Sequence, residues 1–303
     1  MPENTDKSKT EQRSSSASPS TPCSVSSLLD TVICADNCET LAGMPAESVD
    51  LVVTSPPYDD LRTYGGHSWD FERLASELTR VLKPGGVIVW VVADATVNGS
   101  ETLTSMRQAI HFKDVCGLRV HDTMPWVKPN PRPTQSTRYE TAWEYMFVLS
   151  KGSPKATNLM REPSRCAGQK RVKHRAVGGG AEDNNEGSYS TQETKIMRNV
   201  WEIALGAYGA GHPAAYPEEL ARRHVGSWSN PGDVVLDPFA GSGTTLKAAK
   251  ELNRRFIGIE INPAYVEICK ARIAQDVLQL FSSQNAIAMA AADERTPSKE
   301  TTL

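Results

Sequence analysis

A glycine-containing loop, residues 237–245 with the sequence DPFAGSGTT, limits the possible folds more than any other stretch of this chain. It follows the apolar run Val234 to Asp237 and leads into a helical pattern that ends near Leu252. The glycines let the backbone approach a ligand closely, and the helix start offers N–H donors. Glu260 ends the next apolar run, about 20 residues later, where an acid can accept hydrogen bonds from both hydroxyls of a ribose. The pattern favours a nucleoside cofactor site over a tight turn without a ligand.

The same loop disfavours a dinucleotide as the ligand. The fingerprint G-x-G-x-x-G needs a third glycine, and here Leu246 stands in its place. A nicotinamide-dependent oxidoreductase on the same kind of sheet is therefore a weaker alternative.

Strand and helix signals alternate along the chain. Buried strands are predicted at Val49 to Thr54, Val87 to Ala93, Glu144 to Ser150, Val234 to Asp237 and Phe256 to Glu260. Amphipathic helices are predicted from Phe71 to the stop at residues 83–86, from Pro217, from Thr244 to Leu252 and after Pro263. This alternation predicts an α/β fold with a mainly parallel sheet covered on both faces.

Length and composition bound the protein class. The chain has 303 residues, 39% hydrophobic and 23% charged, which suits one large α/β domain or two small ones. No apolar run approaches the roughly 18 residues of a membrane helix, and no basic-then-apolar leader opens the chain, so we expect no membrane partner. The six cysteines are scattered without a C-x-x-C pair, which argues against a zinc ribbon or a disulfide framework. No metal site is predicted.

A second motif, Thr54-Ser55-Pro56-Pro57-Tyr58, lies at the carboxyl end of a predicted strand. Two consecutive prolines fix the backbone and make the turn rigid. The Ser55 hydroxyl and the Pro56 carbonyl are acceptors, and Tyr58 adds a flat ring. Two acceptors and a stacking face can hold the exocyclic amine of a planar base. A proline-rich loop with a buried tyrosine is the simpler alternative.

Together the two motifs resemble the amino-group DNA methyltransferases, which methylate N4 of cytosine or N6 of adenine with S-adenosylmethionine. The catalytic motif precedes the glycine loop here, an order similar to the circularly permuted β group of that family. Asp36 to Tyr58, Trp126 to Asn130, Arg138 to Phe147 and His212 to Pro217 look like further motifs of this group, in the same order. The resemblance covers roughly residues 32 to 275.

The resemblance implies a fold and a division of the chain. The fold would be a Rossmann-like S-adenosylmethionine-dependent methyltransferase fold, circularly permuted, with a mostly parallel, doubly wound sheet. Residues 1–27 would be a disordered tail, 28–282 the methyltransferase domain, about 151–198 an inserted target-recognition segment, and 283–303 a C-terminal tail.

It also implies roles for individual residues. In the catalytic turn Ser55 and Pro56 would hold the amine, with Pro57 and Tyr58 completing the motif. Glu260 would bind the ribose hydroxyls, and Asp237, at the entry of the glycine loop, would meet the methionine ammonium. The other residues expected at the cofactor are Asp36, His212, Pro213, Ala215, Phe239, Gly241, Ser242, Gly243 and Thr244.

A basic stretch indicates how DNA would be held. From Lys128 to Arg175 there are 11 lysines and arginines against 3 acidic residues, in a chain of net charge −3. Phosphate contacts favour such a stretch, although a solvated loop is also possible. The residues expected to contact DNA are Lys128, Arg132, Arg138, Lys170, Arg171, Lys173 and Arg175.

Several alternatives stay open at this point. Ser-Pro-Pro-Tyr is associated in the family with cytosine N4, and adenine N6 is the alternative because Ser and Asp both accept a hydrogen bond. A non-catalytic DNA-binding module and an RNA substrate are also possible. By resemblance we expect a cytoplasmic protein, bacterial or phage-encoded, that modifies double-stranded DNA beside a separate cognate restriction endonuclease. The sequence does not determine the oligomeric state.

Overall fold

An eight-stranded sheet forms the centre of the protein. The computed structural model describes residues 24–58, 69–131, 138–172, 188–205 and 216–274. The strands are β1 (Thr31–Cys34), β2 (Val49–Thr54), β3 (Leu82–Val92), β4 (Arg119–Val127), β5 (Trp143–Ser150), β6 (Trp201–Glu202), β7 (Val234–Asp237) and β8 (Arg255–Glu260). Their order across the sheet is β1-β8-β7-β2-β3-β5-β4-β6.

The sheet is mostly parallel, as predicted. Five of its seven neighbouring pairs are parallel, and β5 runs antiparallel to both β3 and β4. The chain leaves β7 toward β8 on one side and leaves β2 toward β3 on the other, so the winding reverses between β7 and β2. Ligands of open α/β sheets bind at the carboxyl ends of strands beside such a reversal.

Helices cover both faces of this sheet. They are α1 (Asn37–Ala42), α2 (Phe71–Val81), α3 (Thr104–Asp114), α4 (Glu218–Trp228), α5 (Thr244–Glu251) and α6 over residues 263–274. Alternate residues of β3 belong to two separate cores, because side chains of a strand point to opposite faces. Val89 packs in one core with Leu220 of α4 and Leu246 of α5. Trp90 packs in the other with Leu74 of α2, and Trp90 and Leu74 are fully buried.

Most predicted element bounds agree with the structure within a few residues. One difference lies at residues 83–86, predicted as a helix stop, which already belong to β3 because Gly85 and Gly86 exchange backbone hydrogen bonds with Lys151. The sequence reading did not identify β1, β4, β6, α1 or α3. Val25–Ser27, placed in the predicted tail, form a short 3-10 helix, and residues 283–303 lie outside the described ranges.

The polar segment predicted at about 151–198 contains two small antiparallel ribbons. One pairs Arg161–Pro163 with Thr194–Ile196, and the other pairs Lys170–Val172 with Ser188–Ser190. Asn158 ties its beginning to the end of α4, where its amide donates to the Ser229 carbonyl at 2.9 Å. A third ribbon, Thr96–Val97 with Ser100–Glu101, precedes α3. Within the described ranges, no helix is both long and apolar enough to cross a membrane.

Candidate active site

The carboxyl ends of β7 and β2 are joined by a buried hydrogen bond. The Thr54 hydroxyl donates to Oδ1 of Asp237 at 2.7 Å, and both side chains are almost fully buried. Thr54 precedes the Ser-Pro-Pro-Tyr turn, and Asp237 opens the glycine loop. The two predicted motifs, 183 positions apart, therefore meet at the reversal of the sheet.

Asp237, which is predicted to meet the methionine ammonium, lies inside the protein at the entry of the loop. Its Oδ1 also accepts the Phe239 N–H at 3.1 Å, and the residue is only 2% exposed. Burial raises the pKa of Asp237 to about 6, while hydrogen bonds from Thr54 and Phe239 lower it. The carboxyl group thus links the two motifs inside the protein.

Glu260 is held against the glycine loop by backbone groups. Its Oε2 accepts the Gly241 N–H at 2.8 Å, and its Oε1 accepts the Asn262 N–H at 2.9 Å. The carboxylate is half-buried, and it ends β8, next to β7. Asp36 follows β1, on the other side of β8, and caps α1 by accepting the Glu39 N–H at 2.9 Å. Asp36, Glu260 and Asp237 therefore follow three neighbouring strands at one edge.

Two hydroxyls predicted to line the cofactor are engaged inside the protein. Nη1 of Arg272, on α6, donates to the Ser242 hydroxyl at 3.0 Å and to the Thr244 hydroxyl at 3.2 Å. Arg272 also forms an ion pair with Glu218 of α4. The Ser242 and Thr244 side chains therefore fasten the loop to α6. The sequence reading missed Arg272, which lies in an ordinary helical pattern.

Gly243 is required by packing inside the protein. Its φ is +83°, a region that side chains rarely adopt, and an added Cβ would lie 2.5 Å from Sγ of Cys269. A glycine at this position is therefore needed whether or not a ligand approaches it.

An aromatic group borders the other side of the loop. The half-buried ring of Phe239 contacts Trp69 with centroids 5.3 Å apart, and Trp69 contacts Trp90 at 6.2 Å. Near Asp237, half-buried Tyr216 shares a short hydrogen bond with Thr245, and desolvation raises the pKa of Tyr216 well above its usual value. The predicted cofactor residues His212, Pro213 and Ala215 lie outside the described residues.

The catalytic turn is part of a chain of side-chain hydrogen bonds. The Ser55 and Tyr58 hydroxyl oxygens are 2.8 Å apart, and the Tyr58 hydroxyl donates to Oε2 of Glu144 at 2.8 Å. The other oxygen of Glu144 forms a short ion pair with Nζ of Lys128. Pro56 is buried, while Ser55 is partly exposed. Sequence reasoning did not single out Glu144, whose partners lie on other elements.

The predicted DNA contacts are placed differently from one another. Lys128 is paired with Glu144 and its side chain is 19% exposed, so its charge is engaged within the protein. Arg138 is exposed, donates to the Gly99 carbonyl and lies 3.6 Å from Glu101. Lys170 and Arg171 belong to a ribbon, and Arg132, Lys173 and Arg175 fall outside the described residues.

Some of the described residues could hold a nucleoside cofactor. They bring together the Glu260 carboxylate, the Phe239 ring and the start of α5 at the carboxyl edge of the sheet. In the same ranges, no group of three or more His, Cys, Asp or Glu side chains could hold a metal ion.

Comparison with known proteins gives the family. Residues 49–271 match the model of the N6_N4_Mtase family, described as DNA methylase. The chain belongs to this family. It is 44% identical to the orphan methyltransferase M.BamHII of Bacillus amyloliquefaciens over 241 residues, 76% of this chain and 91% of that protein. It is 29% identical to the DNA adenine methyltransferase YhdJ of Escherichia coli strain K12, over 84% of this chain and 85% of that protein.

Solved structures share the fold. The putative DNA modification methylase TTHA0409 of Thermus thermophilus, in complex with S-adenosylmethionine, is 30% identical with a TM-score of 0.55, over 82% of this chain and 95% of that one. The PvuII DNA methyltransferase, described as cytosine-N4-specific, has a TM-score of 0.59 at 21% identity, over 79% of this chain and 84% of that one. The protein is a DNA methyltransferase of the N4/N6 family, and its cofactor is S-adenosylmethionine.

Proposed function

We propose that the protein transfers a methyl group from S-adenosylmethionine to the exocyclic N4 amine of cytosine at specific sites in double-stranded DNA. The observation that carries this proposal is the junction of β2 and β7. There the Thr54–Asp237 hydrogen bond sets the Ser55-Pro56 acceptors beside the loop that holds the Glu260 carboxylate.

The catalytic turn would make a poor nucleophile reactive. The lone pair of an aromatic amine is delocalised into its ring, and S-adenosylmethionine supplies a methyl group on a positively charged sulfur. Hydrogen bonds from the amine to the Ser55 hydroxyl and the Pro56 carbonyl would favour a pyramidal nitrogen and direct its lone pair. Orientation of this kind lowers a barrier by up to about 7 to 11 kcal/mol.

The same acceptors would stabilise the charge that develops on the nitrogen. Ser55 acts here as a hydrogen-bond acceptor, and no covalent bond to it is formed. The surplus proton of the methylated amine can pass to water, so the reaction needs no ionised base.

A base inside a duplex is out of reach of the turn, so the target nucleotide would be flipped out. Flipping costs about a few kcal/mol, and stacking on an aromatic ring offsets part of this cost. Tyr58 would supply that ring, because Ser55 and Glu144 hold its hydroxyl in place.

DNA contacts would come from the inserted segment and from Arg138. The segment carries exposed basic residues in addition to those predicted, among them Arg165, Lys195 and Arg198. Phosphate binding by such residues weakens as salt concentration rises. Orphan and Type II methyltransferases both occur among the relatives, so we propose site-specific modification with or without a companion endonuclease.

Ser55 in the catalytic turn and the likeness in fold to the PvuII methyltransferase support cytosine as the base. The relative YhdJ, named an adenine methyltransferase, makes adenine N6 the second candidate.

Nucleoside mass spectrometry on plasmid DNA from an expressing host without its own methylases would distinguish the two bases. N4-methylcytosine is the expected product. N6-methyladenine would replace the proposed base while keeping the mechanism, and the absence of both would contradict the proposed function.

A further inference from the structure

We infer that Glu144, oriented by Lys128, is a positioning residue that fixes the direction in which the Ser55 hydroxyl points. The inference rests on the proposed function and assigns a task to two side chains outside the Ser-Pro-Pro-Tyr motif. It follows from counting donors and acceptors along the chain Ser55–Tyr58–Glu144–Lys128.

Which group donates in each of these hydrogen bonds is determined at the Lys128 end of the series. A carboxylate accepts hydrogen bonds and donates none, and the Lys128 ammonium donates and does not accept. The Tyr58 hydroxyl has one proton, which it donates to Oε2 of Glu144 at 2.8 Å. The Ser55 hydroxyl lies 2.8 Å from the Tyr58 oxygen, so it must be the donor in that contact.

This direction suits the reaction. With its proton turned toward Tyr58, the Ser55 oxygen presents lone pairs to an incoming N–H group. A hydroxyl turned the other way would aim a proton at the amine nitrogen, compete for its lone pair and oppose methyl transfer. Only the first arrangement makes Ser55 the acceptor that the catalytic turn needs.

Lys128 binds one oxygen of Glu144 and leaves the other oxygen for the Tyr58 hydroxyl. Its ammonium forms a short ion pair with Oε1 of Glu144, and the two side chains are 19% and 11% exposed. It also lies 5.0 Å from the centre of the Trp126 ring, on the same strand end. The pair is therefore held in a partly dry environment, where its hydrogen bonds are stronger than in water.

Glu144→Gln tests the direction of the chain with little change in shape. The Lys128 ammonium would donate to the amide oxygen, so the amide NH2 would face Tyr58 and donate to its hydroxyl oxygen. The Tyr58 hydroxyl would then donate to Ser55, and the Ser55 proton would point toward the amine. We expect the single-turnover methylation rate, at saturating DNA and S-adenosylmethionine, to fall by about 10- to 100-fold. The affinity for S-adenosylmethionine should not change.

A second substitution separates positioning from a structural role. Adding Lys128→Met to Glu144→Gln removes the ammonium, so the amide oxygen can turn back to Tyr58, and part of the lost rate should return. In a Tyr58→Phe background, Glu144→Gln should cost almost nothing further, because the bond that transmits its effect is already absent.

Asp50→Asn is the matched control. Asp50 forms a similar ion pair with Lys83, at 2.6 Å, near the amino end of β2 and away from the turn. This variant should keep the wild-type rate.

The assay first requires wild-type methylation on either base, and its absence would refute the proposed function itself. If the wild type methylates DNA, an unchanged rate in Glu144→Gln would overturn only the role of Glu144. The role of Glu144 would also be overturned if Glu144→Gln and Tyr58→Phe lowered the rate by independent, multiplicative factors and adding Lys128→Met restored none of it.

Discussion

The two halves of the site are built in different ways. On the cofactor side, Glu260 is held by backbone N–H groups of its own loop and its near neighbours, at most 19 positions away. On the catalytic side, Ser55 depends on side chains that lie up to 89 positions from it, on two other strands. A carboxylate held by backbone N–H groups does not depend on the side chains of those partners, whereas a series of side-chain contacts fails when one member is lost. The two halves should therefore respond differently to substitution.

The largest effect is expected on the catalytic side. Ser55→Ala removes one of the two acceptors for the amine, so the single-turnover rate should fall by about 100- to 1,000-fold. The dissociation constant of S-adenosylmethionine should stay near the wild-type value, because the contact proposed for Ser55 is with the amine and not with the cofactor. Isothermal titration together with rapid-quench kinetics would measure both, and wild-type methylation by this variant would refute the role of Ser55.

On the cofactor side, Gly243→Val should lower the stability of the fold more than it changes the catalytic step. Its Cβ would lie 2.5 Å from Cys269 Sγ at a φ of +83°, and overpacking of this kind typically costs about 1 to 3 kcal/mol. Urea unfolding should show the loss, and cofactor affinity should fall with it. Adding Cys269→Ala should restore part of the stability. A variant as stable as the wild type would contradict the packing described for this glycine.

The Asp237 carboxyl group, between the two halves, should give stability a pH dependence. Its pKa in the folded protein is about 6, above the ordinary value of 3.8, so the folded state binds the proton more tightly. The contribution of this group to the free energy of unfolding should therefore be greatest below pH 4 and decline as pH rises to about 6, by up to about 3 kcal/mol.

Comparing wild type with Asp237→Asn by urea unfolding from pH 4 to pH 7 isolates this contribution. The asparagine keeps an oxygen for the Thr54 hydroxyl but does not titrate. A difference between the two proteins that stays constant over this range would show that Asp237 does not titrate there.

The smallest effect on the methylation rate at saturating cofactor is expected for Glu260→Gln. The amide keeps an acceptor oxygen but loses the charge, and a hydrogen bond to a charged group contributes about 1.5 to 3 kcal/mol. The dissociation constant of S-adenosylmethionine should rise by roughly 10- to 100-fold, with a smaller change in the rate at saturating cofactor. A lower saturated rate at unchanged affinity would contradict the placement of Glu260 at the cofactor.

The difference between local and distant contacts also explains which features of the site could be predicted from the sequence. The loop from Asp237 to Thr245 and the acid at Glu260 were predictable, because their spacing follows from one strand, one turn and one helix. The roles of Ser242 and Thr244 were not, because a local pattern does not show that Arg272 of α6 reaches back to their hydroxyls.

The catalytic network required information that no local pattern holds. Glu144 meets Lys128 because β4 and β5 are antiparallel, with Trp126 opposite Glu144. The register between two strands depends on the whole sheet, and the sequence analysis did not identify β4. Lys128 was predicted to contact phosphate because a run of basic residues does not show which of them is already paired.

The attachment of the inserted segment has a consequence for engineering. Asn158 fastens the start of this segment by donating to the carbonyls of Gly226 and Ser229, which belong to the end of α4. Backbone carbonyls are the same whatever side chains a homologue carries, so a grafted segment that keeps this asparagine can use the same anchor. A graft of this segment from a homologue is therefore best joined just after Asn158, in a recipient that also keeps Asn230, whose Oδ1 accepts from the same amide at 3.1 Å.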